Sequence, residues 1–338
     1  MPRILLLTPR ISGVGGIAQH VRQLARRLRR SGYEVEILSS ESMDLHLRKG
    51  VANIGYAISA ALKSISGRFD IVHGHNLPAA IPARAARAEA KILTMHGVYW
   101  RQIKLLYGSL LGKAAKLAER MLLNGIDAIT AVTLEATKYY LSLGLNAKHI
   151  PNAIDLSELP RERERISDPQ ITYLGRLSKE KGVDLLVKLA LNGLKGLVVA
   201  GDGPLRRLVE NAARRNLLTF LGPLPHRRAL KILAGSDVAV LPSREEGVST
   251  TLLEAMALKI PVVATRVGGT IEVARDNREA ILVEPEANEI MNAVEYLLED
   301  RGYARRLAEN AYYRVVSTFS WDVVQKLYLK LYESVLSR

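Results

Sequence analysis

Short apolar runs alternate with helical patterns along the whole chain. In the first half, the apolar runs cover residues 4–8, 35–39, 71–73, 92–96 and 128–132. In the second half, they cover residues 171–174, 197–200, 219–221, 238–241, 262–265 and 281–283. Strands that alternate with helices form parallel sheets with helices on both faces. The pattern therefore predicts an α/β protein with two doubly wound domains, in which ligands bind beyond the carboxyl ends of the strands.

The boundary between the two domains is predicted from a break in this alternation. Residues 159–170 are charged, contain two prolines and show little periodicity, so we interpret them as a linker. The last segment, 321–336, is amphipathic and follows the second set of strands. We expect a first domain over residues 1–158, a second over 159–319 and a separate C-terminal helix over 320–338.

Two helices of the first half carry many basic residues. On 17–30, Ile17, Val21, Leu24 and Leu28 form an apolar stripe that faces away from the arginines. On 102–124, a second stripe is predicted to be buried, and it consists of Ile103, Leu106, Leu110, Ala114, Leu117 and Met121. The preceding residues Tyr99, Trp100 and Arg101 form an aromatic and basic cluster of the kind that favours lipid headgroups.

Composition and charge narrow the classes of function. The chain has 338 residues, 48 Lys+Arg against 34 Asp+Glu, and no cysteine, which excludes disulfides, thiolate zinc sites and cysteine nucleophiles. Residues 1–150 hold 21 basic and 9 acidic residues, so most of the net charge of +14 lies there. This asymmetry indicates an anionic partner. A nucleic-acid partner has no supporting motif, whereas an anionic membrane or a phosphate-bearing lipid remains open. No apolar run is long enough to span a bilayer, and we expect a cytoplasmic protein.

Several candidate residues follow predicted strands. Gly15 and Gly16 end a glycine turn that opens a helix, where backbone N–H groups hold phosphate, but the turn lacks the spacing of a dinucleotide site. Arg176 and Lys181 flank the helix start that follows the first strand of the second half, and they suit a diphosphate. His96 ends a strand of the first half.

A pair of carboxylates follows a strand of the second half. Glu246 lies in a loop, and Glu254 lies eight positions later on an apolar helix, where an unpaired charge would be costly. Glu254 either forms a structural salt bridge or accepts hydrogen bonds from a ribose diol. No group of residues has the spacing of a metal site.

Together these residues resemble the retaining, nucleotide-sugar-dependent glycosyltransferases of family 4, which have the GT-B fold. The resemblance covers almost the whole chain and is strongest in 174–182, in Ala-Gly-Asp-Gly-Pro at 200–204, and in 241–272, which contains the E-x7-E pair Glu246 and Glu254. It extends to 127–133, 150–155 and Phe-Ser-Trp at 319–321. It departs at Val248 and Ser249, where the family often has an aromatic residue and a glycine.

The resemblance implies two Rossmann-like domains that face a cleft, an acceptor site in the first, and a C-terminal helix that crosses back to it. It implies catalytic roles for His96 and Glu246 at the donor sugar. The donor-binding residues that it implies are Gly15, Gly16, Arg176, Lys181, Gly222, Gly247, Val248, Ser249, Thr250 and Glu254. It implies no cofactor and no bound metal, because fixed cations and helix dipoles can stabilise the charge on the departing diphosphate. It implies no separate general base, because the leaving diphosphate itself helps to deprotonate the acceptor.

The basic first domain leads us to expect a glycan or lipid-linked acceptor at an anionic membrane surface. Two alternatives remain open, namely a non-catalytic GT-B partner subunit and a basic nucleic-acid-binding protein.

Overall fold

The computed structural model describes residues 1–11, 16–43 and 52–337 and contains two compact units. The first unit consists of Met1–Asn152 together with Asp322–Arg338, and the second consists of Ala153–Trp321. Each unit has a six-stranded parallel sheet, as the alternation of apolar runs and helical patterns predicts. The α/β class with two doubly wound sheets is therefore confirmed.

The sheet of the first unit has the strand order β2-β1-β3-β4-β5-β6. Its strands are β1 (Arg3–Leu7), β2 (Glu34–Leu38), β3 (Arg68–His75), β4 (Arg87–Met95), β5 (Ala128–Ala131) and β6 (Ala147–His149). Its helices before residue 143 are α1 (Gly16–Arg30), α2 (Ala52–Ser64), α3 (Ala80–Ala85), α4 (Tyr99–Tyr107), α5 (Ser109–Leu123) and α6 (Leu134–Ser142). β2 and β3 lie on opposite sides of β1, so the direction in which strands are added to the sheet reverses after β2. This reversal places a topological switch point between β1 and β3.

The sheet of the second unit has the strand order β12-β11-β10-β7-β8-β9. Its strands are β7 (Ile171–Leu174), β8 (Leu197–Ala200), β9 (Thr219–Gly222), β10 (Val238–Leu241), β11 (Val262–Thr265) and β12 (Ile281–Val283). Its helices are α7 (Val183–Leu191), α8 (Arg206–Arg214), α9 (His226–Ala234), α10 (Thr250–Ala257), α11 (Thr270–Val273), α12 (Ala287–Glu299) and α13 (Arg301–Arg314). Here the switch point lies between β7 and β10.

The last helix, α14 (Trp321–Leu336), belongs to the first unit from Asp322 onward. Its buried Tyr328 and Tyr332 donate or accept hydrogen bonds with histidines of that unit. Just before α14, the Ile154 N–H donates to the Phe319 carbonyl at 2.9 Å, and the Trp321 N–H donates to the Ile154 carbonyl at 3.1 Å. These bonds join the first and last residues of the second unit, next to Asn152 and Asp322 of the first unit.

The segment 159–170, interpreted above as a linker, is packed against the second unit. The Glu164 N–H donates to the Lys231 carbonyl at 2.9 Å, and the Arg165 guanidinium pairs with Asp237 at 2.7 Å. Its low periodicity therefore reflects an irregular but fixed backbone.

The helix predicted over 102–124 is in fact two helices, since the chain breaks at Gly108, which has φ +90°. Its predicted buried stripe is wrong in α5, because Leu110, Leu117 and Met121 are 81%, 64% and 63% exposed. The buried side of α5 instead carries Gly112, Glu119 and Leu123.

A buried carboxylate explains this orientation of α5. Glu119 is fully buried, accepts from the Tyr140 hydroxyl at 2.6 Å and accepts from the Tyr99 N–H at 3.2 Å. Burial raises the pKa of Glu119 despite these bonds. A charged residue at a core position has no apolar signal, so helical periodicity assigned the wrong face.

Candidate active site

The candidate site of the second unit is built on the neighbouring strands β7 and β10. These strands pair in parallel, with Ile171 opposite Val238 and Thr172 opposite Ala239. The loop after β7 carries Arg176 and Lys181, and the loop after β10 carries Glu246. Parallel strands end at the same edge of the sheet, so both loops lie at the switch point where doubly wound sheets bind ligands.

Lys181 and Glu246 form an ion pair within this edge. Lys181 Nζ lies 2.5 Å from Glu246 Oε2, which also accepts from the Ser243 hydroxyl at 3.1 Å. The Glu246 side chain is only 9% exposed. The site therefore holds one carboxylate and one ammonium group in contact, and either can turn to a polar ligand.

Close backbone packing holds these two residues together. Gly182 has φ +69°, and a Cβ atom there would lie 1.8 Å from the Pro242 carbonyl oxygen. Only glycine permits that approach of the Lys181 loop to the Glu246 loop.

A second ion pair fixes the Glu246 loop to the start of α7. Arg244 donates to both carboxylate oxygens of Asp184, at 2.6 and 2.7 Å, and its backbone N–H donates to the Glu180 carbonyl at 2.8 Å. Burial acts to raise the pKa of Asp184, but the Arg244 guanidinium outweighs it, so the pKa is lowered. This pair is not evident from the sequence, because its members are sixty positions apart.

Arg176 differs from Lys181 in being largely exposed. Its side chain is 59% exposed, and its guanidinium is 3.8 Å from the Glu180 carboxylate. Its backbone is fixed, since the Tyr173 hydroxyl donates to the Arg176 carbonyl at 2.8 Å. The side chain can therefore reorient toward an anion while its attachment to the edge stays in place.

Glu254 lies on α10, whose first turn is anchored to the same edge. The Ser249 hydroxyl accepts from the Leu252 N–H at 3.3 Å and caps the helix, and the Thr251 hydroxyl donates to the Leu174 carbonyl at 3.3 Å. Glu254 is buried, and its Oε1 accepts a hydrogen bond from His226 Nε2 at 2.7 Å. The partner left open by the sequence is thus a histidine from the start of α9, which sequence analysis missed.

Glycine loops close the edge beside β8 and β9. Gly201 has φ +143°, and a Cβ atom there would lie 1.8 Å from the Gly175 carbonyl oxygen. The Gly201 N–H donates to the Gly222 carbonyl at 2.9 Å. A Cβ atom on Gly222 would meet nothing within 4 Å, so there is open space beside the end of β9. A flat ligand group can reach the backbone there.

In the first unit, His96 follows β4, is partly exposed and lies against a group of buried histidines. Its backbone N–H donates to Asn76 Oδ1 at 3.0 Å, and its Nε2 is 3.4 Å from His75 Nδ1. Burial lowers the pKa of His96 to about 4, so its imidazole is neutral at pH 7. Gly16 opens α1, while Gly15 lies outside the described residues.

Two family models match successive parts of the chain. The model described as Glycosyltransferase Family 4 matches residues 14–158, and the one described as Glycosyl transferases group 1 matches residues 158–314. The chain belongs to glycosyltransferase family 4. It is a glycosyltransferase of the GT-B type.

Individual relatives are 26% to 34% identical to this glycosyltransferase over the segments that align. The α-D-kanosaminyltransferase of Streptomyces kanamyceticus is 34% identical over 45% of the chain and 42% of the relative, so the match spans less than half of that protein. The glycogen synthase of Mycobacterium tuberculosis is 26% identical over 94% of the chain and 91% of the relative.

Solved structures have the same fold at low sequence identity. Sucrose-phosphate synthase from Thermosynechococcus elongatus has a TM-score of 0.82 at 20% identity, with 100% of both chains covered. The Anabaena HepE protein in complex with UDP-glucose has a TM-score of 0.76 at 17% identity, with 99% of this chain and 100% of that chain covered. These likenesses establish the GT-B fold of the glycosyltransferase.

The second unit of the glycosyltransferase brings most of the predicted donor residues to one edge. Arg176, Lys181, Gly222, Glu246 and Glu254 lie on or beside the loops that follow β7, β9 and β10, and Gly247, Val248, Ser249 and Thr250 connect the two glutamates. Their roles remain predictions.

The described residues hold neither a metal-binding group nor a membrane-spanning helix. Within residues 1–11, 16–43 and 52–337, no three histidine, aspartate or glutamate side chains are placed to hold a metal ion. Across the same ranges, no helix has the length and apolar character needed to cross a membrane.

Proposed function

We propose that this glycosyltransferase moves a sugar from a nucleotide-diphosphate sugar to an acceptor and retains the anomeric configuration. The observation that carries the proposal is the contact between Lys181 and Glu246 at the β7/β10 switch point, with Arg176 and Glu254 on the same edge. That edge offers two cations, a buried carboxylate and a capped helix N-terminus, which match the parts of such a donor.

The donor diphosphate would be held by Arg176 and Lys181. Charge-assisted hydrogen bonds to phosphate are about twice as strong as neutral ones. The N-terminus of α10 and the backbone of 248–250 add N–H groups. When a diphosphate binds to Lys181, the ammonium group no longer pairs with Glu246. The Glu246 carboxylate can then accept hydrogen bonds from the hydroxyl groups of the donor sugar.

The nucleoside would be held by Glu254 and the backbone beside Gly222. His226 donates a hydrogen bond to Glu254 Oε1, and a ribose diol can donate to the remaining lone pairs of the carboxylate. The open space at Gly222 suits the base.

In the transfer itself, the bond between the sugar C1 and the diphosphate oxygen breaks, and a bond from C1 to the acceptor oxygen forms on the same face. The acceptor proton passes to the departing diphosphate. Arg176 and Lys181 stabilise the negative charge that develops there. His96 is proposed to contact the donor sugar.

Nucleotide titration tests the donor site. UDP, GDP and ADP are titrated calorimetrically into the full chain, and one of them is expected to bind. In the Arg176→Ala variant, the loss of a charged hydrogen bond of about 1.5–3 kcal/mol weakens that affinity roughly tenfold to a hundredfold. Arg305→Ala is the control, because Arg305 is an exposed arginine of the same unit that lies on α13. Equal affinities of both variants and the parent would remove Arg176 from the site, and no binding of any nucleotide would reject the proposal.

We also propose that the transfer needs no bound metal, because Arg176 and Lys181 supply the positive charge. Turnover of UDP-glucose, GDP-mannose or ADP-glucose after dialysis against EDTA should equal that before dialysis. Activity that is lost with EDTA and restored by Mg²⁺ would contradict this.

The acceptor is proposed to be a glycan or lipid-linked sugar presented at an anionic membrane, on its cytoplasmic face. On α5 an exposed apolar ridge consists of Leu110, Leu111, Leu117 and Met121, and exposed basic residues flank it at Lys113, Lys116 and Arg120. An apolar ridge beside basic side chains is the pattern of helices that lie in the interface of acidic bilayers.

Vesicle co-sedimentation tests this surface. The parent should bind phosphatidylglycerol vesicles more than phosphatidylcholine vesicles at low salt, and Leu117→Glu should reduce that binding. Leu191→Glu is the control, since Leu191 is 51% exposed in the second unit. If both variants bind as the parent does, or if the parent binds neither lipid, α5 is not a membrane surface.

A further inference from the structure

Four histidines of the first unit lie in one group, in which three are buried and His96 is partly exposed. They are His20 of α1, His73 and His75 of β3, and His96. The ring centroid of His75 is 4.6 Å from that of His73, 5.7 Å from that of His96 and 5.6 Å from that of His20. The predicted catalytic residue His96 therefore lies at the edge of a group that contains three further imidazoles, none of which the sequence assigned to a site.

His73 is the fixed member of this group. Its Nδ1 is 2.7 Å from the Tyr332 hydroxyl of α14, and its Nε2 is 2.7 Å from the Thr94 hydroxyl, which is 2.6 Å from the Thr130 hydroxyl. With both nitrogens bonded, the His73 ring cannot rotate without loss of two hydrogen bonds. His75 stacks on this ring at an interplanar angle of 28°, so the contact restricts the orientations open to the His75 ring.

The hydrogen bonds of His75 determine where its proton lies. His75 Nδ1 bonds to His96 Nε2 at 3.4 Å, and His75 Nε2 is a buried atom with no hydrogen-bond partner among the described residues. A buried N–H without an acceptor is rarer and costlier than an unbonded lone pair. The proton of a neutral His75 therefore lies on Nδ1, which donates to His96 Nε2.

Burial keeps this bond between neutral rings at pH 7. It lowers the pKa of His73 to about 3 and that of His96 to about 4, and it lowers the pKa of His75 well below its ordinary value. A neutral imidazole has one N–H and one lone pair. Because His96 Nε2 accepts from His75, the single proton of His96 lies on Nδ1.

We propose that His75 is a positioning residue that fixes His96 as the Nδ1–H tautomer, so that His96 offers a hydrogen-bond donor to a hydroxyl oxygen of the donor sugar. The proposal rests on the role of His96 in the proposed function. It also assigns a purpose to the stacked pair His73 and His75, because the first holds the second in place.

Nitrogen NMR tests the tautomer without any ligand. The chain has seven histidines, and selective ¹⁵N labelling with two-bond ¹H–¹⁵N correlation shows which ring nitrogen carries the proton. In the parent, His96 should be protonated at Nδ1 and His75 at Nδ1. A proton on His96 Nε2 in the parent would overturn the proposal.

Two variants of His75 separate positioning from packing. His75→Phe keeps a ring but removes the donor, so His96 should shift toward the Nε2–H tautomer. His75→Asn places an amide N–H near the original Nδ1 and should restore the Nδ1–H form. His149→Gln, outside the group, should leave the spectrum of His96 unchanged. If His75→Phe does not fold, the parent spectrum and the Asn variant still decide the question.

Turnover provides the second readout, with UDP-glucose, GDP-mannose and ADP-glucose as probes. Loss of the donor should lower kcat roughly threefold to tenfold, with the affinity for UDP, GDP or ADP unchanged, and Asn should recover most of the rate. If no probe is turned over while His96 has the stated tautomer, the proposed function fails and the His75–His96 bond stands. If a probe is turned over and His75→Phe leaves both the tautomer and kcat unchanged, the positioning role fails.

Discussion

Single side chains in this glycosyltransferase gain their chemistry from partners that are distant along the chain. His226 bonds Glu254 across 28 positions, Lys181 bonds Glu246 across 65, and Tyr332 bonds His73 across 259. The sequence selected Lys181 and Glu246 because they lie in loops that follow strands, and Glu254 because a charge on an apolar helix needs a partner. It missed His226, His73 and His75, because a lone histidine has no periodicity to indicate a partner.

The buried histidines predict a loss of stability at mildly acidic pH. The unfolded chain protonates histidine near pH 6.5, whereas the folded chain protonates His96 near pH 4 and His73 near pH 3. The unfolded state therefore binds more protons between these values, and the free energy of unfolding falls as the pH drops below about 6.5. At pH 5 each of these two histidines should lower it by about 2 kcal/mol.

Thermal unfolding at pH 7 and pH 5 measures this effect. The parent Tm should fall on acidification, and His96→Gln should fall less because it has one fewer group to protonate. His149→Gln should behave as the parent does. An equal fall in Tm for His96→Gln and the parent would contradict the assigned protonation.

At the level of elements, the periodicity of the sequence located strands better than it oriented helices. Each of the eleven predicted strands coincides with a strand of the structure, and β6 (Ala147–His149) was missed. That edge strand contains a lysine and a histidine and exists because it pairs with β5, not because of an apolar run. The exposed face of α5 was assigned to the core, because amphipathicity identifies an apolar face but does not say what covers it.

The start of α7 predicts a specific effect of one glycine. In Gly182→Ala, the added Cβ would meet the Pro242 carbonyl oxygen at 1.8 Å, so the Lys181 loop must move away from the Glu246 loop. We expect stability to fall by about 2–4 kcal/mol and nucleotide affinity to fall with it. Urea unfolding and calorimetric titration with UDP, GDP or ADP measure the two effects.

Gly193→Ala is the matched control for this substitution. Gly193 also has a positive φ, +101°, but a Cβ atom there would meet nothing within 4 Å. It should lose only about 1–2 kcal/mol of stability from the backbone conformation, with nucleotide affinity unchanged. If both variants lose nucleotide affinity equally, close packing at Gly182 does not position the site.

At the level of the whole molecule, the two units differ in charge and in proposed ligand. The basic excess lies in residues 1–150, while the edge that carries Arg176, Lys181, Glu246 and Glu254 lies entirely in the second unit. A donor nucleotide should therefore slow amide hydrogen exchange in specific loops of the second unit.

Hydrogen exchange across the full chain, with and without nucleotide, measures this protection. The nucleotide that binds in the titration should slow amide exchange in 175–182, 201–203 and 246–254, because these segments surround the proposed diphosphate and nucleoside. Helix α5 serves as the internal control and should exchange at the same rate with and without nucleotide. Protection confined to α5 or to the first strands would place the nucleotide elsewhere.

The sequence by itself determined the two parallel sheets, the strand ends that carry the candidate residues, and membership of the family. Local sequence patterns are enough to predict these features, because a strand or a glycine turn is specified by residues that are close together along the chain. Only the tertiary structure decided which face of α5 is buried, that His226 bonds to Glu254, and that His75 lies within hydrogen-bond distance of His96. Each of these features depends on contacts between segments that are far apart along the chain. Burial then lowers the pKa of His96 and keeps its imidazole neutral at pH 7.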